Sequence, residues 1–395
     1  MNHFSRRDFF YVAGAGALAG VASQGRLQGQ QEIPPAVPAS PIYPYESRSP
    51  VALVKGEDRR KNVTQALLAV DREIGPALKR KKYVVIKINN VSTTNQLAAT
   101  HVDALRGILD YLEPRTKGPV VIVESSAGET LEGFENFKYA QLIPEYKRLK
   151  ISLVDLNRER KYEVFTIVDR NIRPIPVRLA ARMFDTDAYI ISSAMLKTHN
   201  NVVATMSVKN MVIGSPLHSV AGETPAWHDK RLFHADTSFP GAGRGGAAGA
   251  RGAGGGGRGA GGGGRGAVLT FNSHAMNYNM GIAAKKLSAT WGAAVIDGFE
   301  GMEGNGPSGG TAVPMHVALA SPDLIAADRV SLETMGVPPY AVGYLQYAGQ
   351  LGAGQFDLAK IDIRGEKPES VKRVFKLHDQ VQQQLNWLRD MQRPA

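Results

Sequence analysis

The sequence predicts an α/β fold, a mostly parallel sheet with helices on both faces, carrying one glycine-rich disordered insertion. Three observations point to it. Short runs of consecutive apolar residues recur along the chain without strict alternation, as strands buried on both faces do. Segments of helical spacing separate them. Polar, chemistry-bearing side chains follow each run, where ligands meet the carboxyl edge of an open parallel sheet. With 395 residues, 43% of them hydrophobic, the chain has ample material for a core.

Read in order, the chain starts with Ser5-Arg6-Arg7-Asp8-Phe9-Phe10 ahead of a small-residue apolar run from Tyr11 to Ala22. Paired arginines before such a run fit a twin-arginine export signal over residues 1–23, cleaved after Ala19 or Ala22. This predicts a periplasmic or otherwise exported protein whose first partner is the twin-arginine export machinery. The run is too short and too glycine-rich for a stable membrane span, and no other stretch is long and apolar enough for one. Residues 24–50, rich in Gln, Pro and Ser, read as a tether. An α/β domain follows over 51–370. Its helices are expected from Asn62 to Leu78, His101 to Leu112 and Glu135 to Arg148. Its strands are expected at Tyr83–Ile88, Val120–Val123, Ile151–Val154, Ala188–Ile191 and Ala293–Ile296, with a hairpin from Tyr162 to Val177. Residues 371–395 read as a C-terminal amphipathic helix, from about Ser370 to Asp390, packed on the outside.

Within that domain, 16 of the 27 residues from Gly241 to Ala267 are glycine, with arginine at 244, 251, 258 and 265. Such a tract has no apolar side chains to offset the entropy of ordering, so it reads as a disordered insertion. Its four arginines inflate a formal net charge of +11. The remaining body is only mildly basic, and no nucleic acid is expected as a partner. The absence of cysteine excludes disulfides, cysteine nucleophiles and any cysteine-ligated iron–sulfur cluster.

The polar residues after the strands define a candidate pocket: Lys87, Asn89 and Asn90; Glu124 and Ser125; Asp155; Lys197-Thr198-His199; and Asp297. If Asn201 to Val212 is helical, Lys209 and Asn210 join the Lys197 segment. Lysines, amides and a histidine together favour a small anionic ligand such as a carboxylate or phosphate. On this reading Lys87, Asn89, Glu124, Ser125, Thr198, Lys209, Asn210 and Asn305 bind the ligand. Lys197 orients it and His199 transfers a proton, a task suited to an imidazole near its free pKa. The alternatives are a turn histidine bonded to backbone and a solvated helix face at Lys209-Asn210. The glycine-rich run Asp297 to Gly310 is neither a Walker loop nor a dinucleotide fingerprint. Asp297 and Glu303, with His234 as a further donor, are candidate ligands for a divalent metal; the alternative is a tight acidic turn. Asp323 is expected to cap a helix starting near Leu324, and Asp328 to be buried against Arg329 or a loop amide.

These pieces resemble the family labelled domain of unknown function 362. The resemblance is carried by Val85-Ile86-Lys87-Ile88-Asn89, Ser193 to His199, Met206-Ser207-Val208-Lys209-Asn210 with Gly214, Asp297 to Gly310, and Ser321 to Asp328. It covers about residues 50–370, with the glycine tract as an insertion. Some members carry a ferredoxin-like iron–sulfur module, which this cysteine-free chain lacks, and the resemblance assigns no activity. Residues and resemblance together lead to an exported enzyme or cofactor-dependent protein acting on a small anion. The competing readings are a periplasmic binding protein without catalysis and an envelope interaction protein.

Overall fold

The strand runs alternate between two cores. Val84 and Ile86 pack with one apolar cluster while Val85 packs with the other, and Val120/Ile122 against Val121/Val123 repeat the pattern. That two-sided burial is why these segments read as continuous apolar runs. The computed structural model describes residues 42–169, 171–234 and 273–388. The export signal, residues 24–41 of the tether, the glycine–arginine insertion and the last seven residues lie outside the described residues.

In chain order the strands are β1 (Ser49–Lys55), β2 (Tyr83–Lys87), β3 (Val120–Glu124), β4 (Ser152–Asp155), β5 (Tyr162–Val168), β6 (Pro174–Ala180), β7 (Ala188–His199), β8 (Val203–Thr205), β9 (Trp291–Glu303), β10 (Thr311–Ser321) and β11 (Ile361–Gly365). The main sheet has nine strands, in the order β11-β1-β10-β9-β7-β2-β3-β4 with β8 paired to β7. β9, β7, β2, β3 and β4 are mutually parallel. β10 is antiparallel to both its neighbours. β5 and β6 form the expected hairpin as a separate two-stranded sheet.

Helices α1 (Arg59–Ala69), α2 (Asp71–Lys79) and α3 (Val102–Leu112) contribute to one core. Next come α4 (Thr130–Asn136), α5 (Leu142–Glu145), α6 (Leu156–Glu159), α7 (Ser207–Ile213), α8 (Asp229–His234), α9 (Ser273–Leu287), α10 (Leu324–Met335), α11 (Gly343–Gln350), α12 (Pro368–Val371) and α13 (Val381–Gln384). Residues of α7, α9, α10 and α11 build the core on the opposite face.

The structure corrects several expectations. The helix from Asn62 to Leu78 is two helices meeting at Val70, and the one from Glu135 to Arg148 breaks where Lys138 turns left-handed at φ 63°. β1, β10 and β11 escaped the sequence reading. In β10 the proline at 314 argues against a strand, but it sits where the register with β9 shifts. β7 continues through Lys197-Thr198-His199 because β8 folds back on it and β9 extends alongside. These three residues are therefore strand, and Thr205 belongs to β8 instead of a helix. The C-terminal segment is not one outer helix. It is an irregular stretch with two short turns, and it buries Val381, Leu385, Trp387 and Leu388.

Candidate functional site

The five polar strand ends lie side by side. The chain builds outward from β2 through β3 to β4, then restarts at β7 on the other side of β2 and continues to β9. The reversal falls between β2 and β7, where open α/β sheets place their ligand clefts. A cavity of about 250 Å³ opens there, walled by residues from the β2, β3 and β7 ends and from β8, α7 and α8.

Its floor is an ion pair. Lys87 Nζ donates to Glu124 Oε1 at 2.5 Å, to the Ile88 carbonyl at 2.6 Å and to Asn210 Oδ1 at 3.2 Å. Glu124 also accepts the Ser125 and Asn90 amides, at 2.7 and 2.6 Å. Burial pulls the Lys87 pKa down while Glu124 opposes the shift. Asn210 binds the Lys87 carbonyl and Ser192 Oγ, each at 3.0 Å, and locks α7 against β2 and β7. Gly214 ends α7 so close to this pair that a Cβ there would fall on the Lys87 ammonium.

Lys197 stands behind the wall instead of in it. Its Nζ donates to Asn89 Oδ1 at 2.6 Å and to the Ala98 carbonyl at 3.3 Å, and burial pulls its pKa to about 7. Thr198 also turns away from a ligand role, its hydroxyl donating to the Gly304 carbonyl at 2.9 Å.

His199 lines the cavity but not as a base near its free pKa. Its Nδ1 accepts the Asn201 amide at 2.9 Å, so the neutral ring carries its proton on Nε2. Burial, with Lys209 beside it, pushes its pKa well below the ordinary value. His234 stacks near it, with ring centroids 6.4 Å apart, and donates from Nδ1 to the Lys230 carbonyl at 2.9 Å. Both rings are neutral hydrogen-bonding groups at pH 7.

Two cations in the wall form no ion pair among the described residues. Lys230, which the sequence reading left out of the pocket, donates to the Ser125 carbonyl and, at 3.1 Å, to Ser125 Oγ. Burial lowers it to about 8. Lys209 is 5% exposed and forms no hydrogen bond or ion pair among the described residues. Burial lowers it to about 7, with Lys197 and Lys230 adding to the effect. Three further wall residues hold buried polar atoms without partners: Asn90 Nδ2, Ser126 Oγ and Thr205 Oγ1. Buried polar groups are seldom left unpaired, and here they gather around one small space.

The N-terminus of α7, which carries Lys209, is capped from another element. Asp328 of α10 accepts the Ser207 and Val208 amides at 2.8 and 2.9 Å. Burial outweighs these bonds, which favour the carboxylate, and pushes the Asp328 pKa up to about 8. Asp323 caps α10 itself, as expected, accepting the Ile325 and Ala326 amides.

The residues proposed for a metal are not brought together. Asp297 pairs with Arg59 at 3.2 Å, Glu303 accepts the Lys376 amide at 2.8 Å, and only His234 lines the cavity. Among the described residues no group of three or more His, Cys, Asp or Glu is placed to hold a metal ion. Asn305 lies outside the wall, bonded to Asp379 at 2.8 Å.

The fold and this edge define a class: an α/β protein with an open cavity at the point where the sheet order reverses. The family profile described as "Domain of unknown function (DUF362)" matches residues 84–333, and the chain belongs to that family. The matched region contains every residue of the cavity wall. No curated protein matches the chain. A crystal structure of a protein from Thermotoga maritima, from the Northeast Structural Genomics Consortium, is similar over 76% of this chain and 60% of that one, at 11% identity and a TM-score of 0.36. The present chain thus spans about 60% of that protein's length, and a likeness at this level carries no argument about the site. No helix among the described residues is long and apolar enough to cross a membrane.

Proposed function

We propose that the cavity between β2 and β7 binds a small oxyanion, a carboxylate or a phosphate, and that Lys209 and Lys230 are its charge partners. The observation that carries this reading is Lys209: a buried ammonium in a cavity wall, with no partner among the described residues. A buried unpaired charge is costly, and an anion in the cavity supplies the missing charge. Asn90, Ser126, Thr205 and His199 line the same space as uncharged polar groups. Lys87 contributes less than the sequence suggested, because Glu124 already neutralises it.

A thermal-unfolding panel tests this reading. Phosphate, oxalate, acetate and pyruvate are compared with chloride at constant ionic strength, on the wild type and on Lys209→Met. The reading expects stabilisation by at least one oxyanion that the variant loses. Equal responses from both proteins count against it.

The paired arginines at 6 and 7 support a second part of the proposal, that the protein meets this ligand outside the cytoplasm after twin-arginine export. Replacing both arginines by lysine should leave the precursor in the cytoplasm. Unchanged export would remove this part.

A further inference from the structure

Lys209 is more than a charge. Its amine borders a cavity of about 250 Å³, it donates to nothing among the described residues, and its cationic neighbours Lys197 and Lys230 disfavour its proton. A lysine desolvated next to other cations is the arrangement that frees an amine for attack on a carbonyl. Lys230, Ser126, Asn90 and Thr205 remain in the same wall for a carboxylate. His199, its Nδ1 engaged by the Asn201 amide, keeps an Nε2 proton to offer an oxygen. One small molecule uses all of these at once: a 2-oxo acid, with its carbonyl carbon at Lys209 and its carboxylate on the other donors.

We propose that Lys209 forms an imine with the carbonyl carbon of a small 2-oxo acid; the proposal rests on the anion-binding reading of the same cavity. The step balances without a redox partner. The amine lone pair forms the C–N bond as the carbonyl π pair moves to oxygen, which takes up a proton. The nitrogen then loses one proton, the hydroxyl takes up a second and leaves as water while the nitrogen lone pair forms C=N, and the iminium nitrogen gives up its remaining proton. At neutral pH burial holds the Lys209 pKa at about 7. Its free-amine fraction there is roughly a thousandfold above that of an ordinary lysine of pKa about 10.4.

Reductive trapping tests the proposal. The full chain is incubated at neutral pH with pyruvate or glyoxylate and cyanoborohydride, then digested and mapped by mass spectrometry. Acetaldehyde serves as a carbonyl probe without a carboxylate. The expected result is one dominant carboxyalkyl adduct on Lys209, about a hundredfold or more above any surface lysine, and slower labelling by acetaldehyde. Lys209→Met, checked for an unchanged unfolding temperature, should lose this adduct. Adducts spread over surface lysines, or an unchanged map in Lys209→Met, would overturn the proposal. If oxyanions stabilise the protein through Lys209 but neither oxo acid labels it, the imine falls and the anion site stands. If acetaldehyde labels Lys209 as fast as pyruvate and no anion stabilises the fold, the reactive amine stands. The anion reading, and with it the oxo-acid class, then falls.

Discussion

The carboxyl edge of the sheet has two ends that look alike in sequence and differ in chemistry. At β2, β3 and β7 the polar residues surround a cavity, and several have no partner among the described residues. At β9 and β10 an equally polar segment is mostly partnered by its neighbours, although the buried Arg59 Nε makes no hydrogen bond among the described residues. Arg59 bridges Asp297 and Glu300, the Lys376 amide holds Glu303, and Asp379 holds Asn305. Residue type does not separate these two regions. What separates them is how far the polar groups find partners among the described residues; around the cavity several unpartnered groups, Lys209 among them, face one common space.

The comparison breaks most visibly at the ion pair beneath the cavity. Glu124→Gln leaves the fully buried Lys87 ammonium without its counter-charge, which should cost about 3–5 kcal/mol. Urea unfolding measures it; a loss under about 1 kcal/mol would mean the pair is not held as described. Lys209→Met should behave in the opposite way. Stability without ligand should hold or rise, because an unpaired buried charge is gone. Oxyanion affinity should fall about tenfold to a hundredfold, the worth of a charged hydrogen bond, as read by calorimetry.

Titration sharpens the contrast further. Lys197 and Lys209 sit at about 7 when folded, against about 10.4 unfolded. Between those values the unfolded chain binds more protons, so their contribution makes the ligand-free protein more stable as pH rises from about 7 to about 10. Oxyanion binding should move the other way, weakening above about pH 7 as Lys209 loses its proton. Urea midpoints across this range, with and without phosphate, check both trends; Lys209→Met should remove the phosphate-dependent one and only reduce the ligand-free one, because Lys197 remains. The smallest effect belongs to the mostly partnered end. Asn305→Ala removes two exposed bonds to Asp379; it should change stability by less than about 1 kcal/mol and leave anion binding untouched.

Much of this architecture is legible in the residues. Val84-Val85-Ile86 and Val120 to Val123 identify themselves as two-faced strands because both of their faces are buried. Asp323 caps α10 as its place before Leu324 suggests. The site is only half legible, since partnering depends on distant chain. Thr198 and Lys209 read equally well as ligand groups until the Gly304 carbonyl engages one and no described residue engages the other. Lys230 lies 105 residues beyond Ser125, whose carbonyl it binds, and local spacing gives no sign of that meeting. Asp328 was recognisable as a buried acid, but its partners at the start of α7 emerge only once α10 packs against that helix.

The most direct measurement is a crystal structure of the protein soaked in selenate, a tetrahedral oxyanion that anomalous scattering can locate. The account expects the strongest selenium peak inside the cavity, within hydrogen-bond reach of Lys209 Nζ, and absent in Lys209→Met. Selenate bound only at surface arginines or along the β9–β10 turn, with the cavity left to water in both proteins, would contradict it.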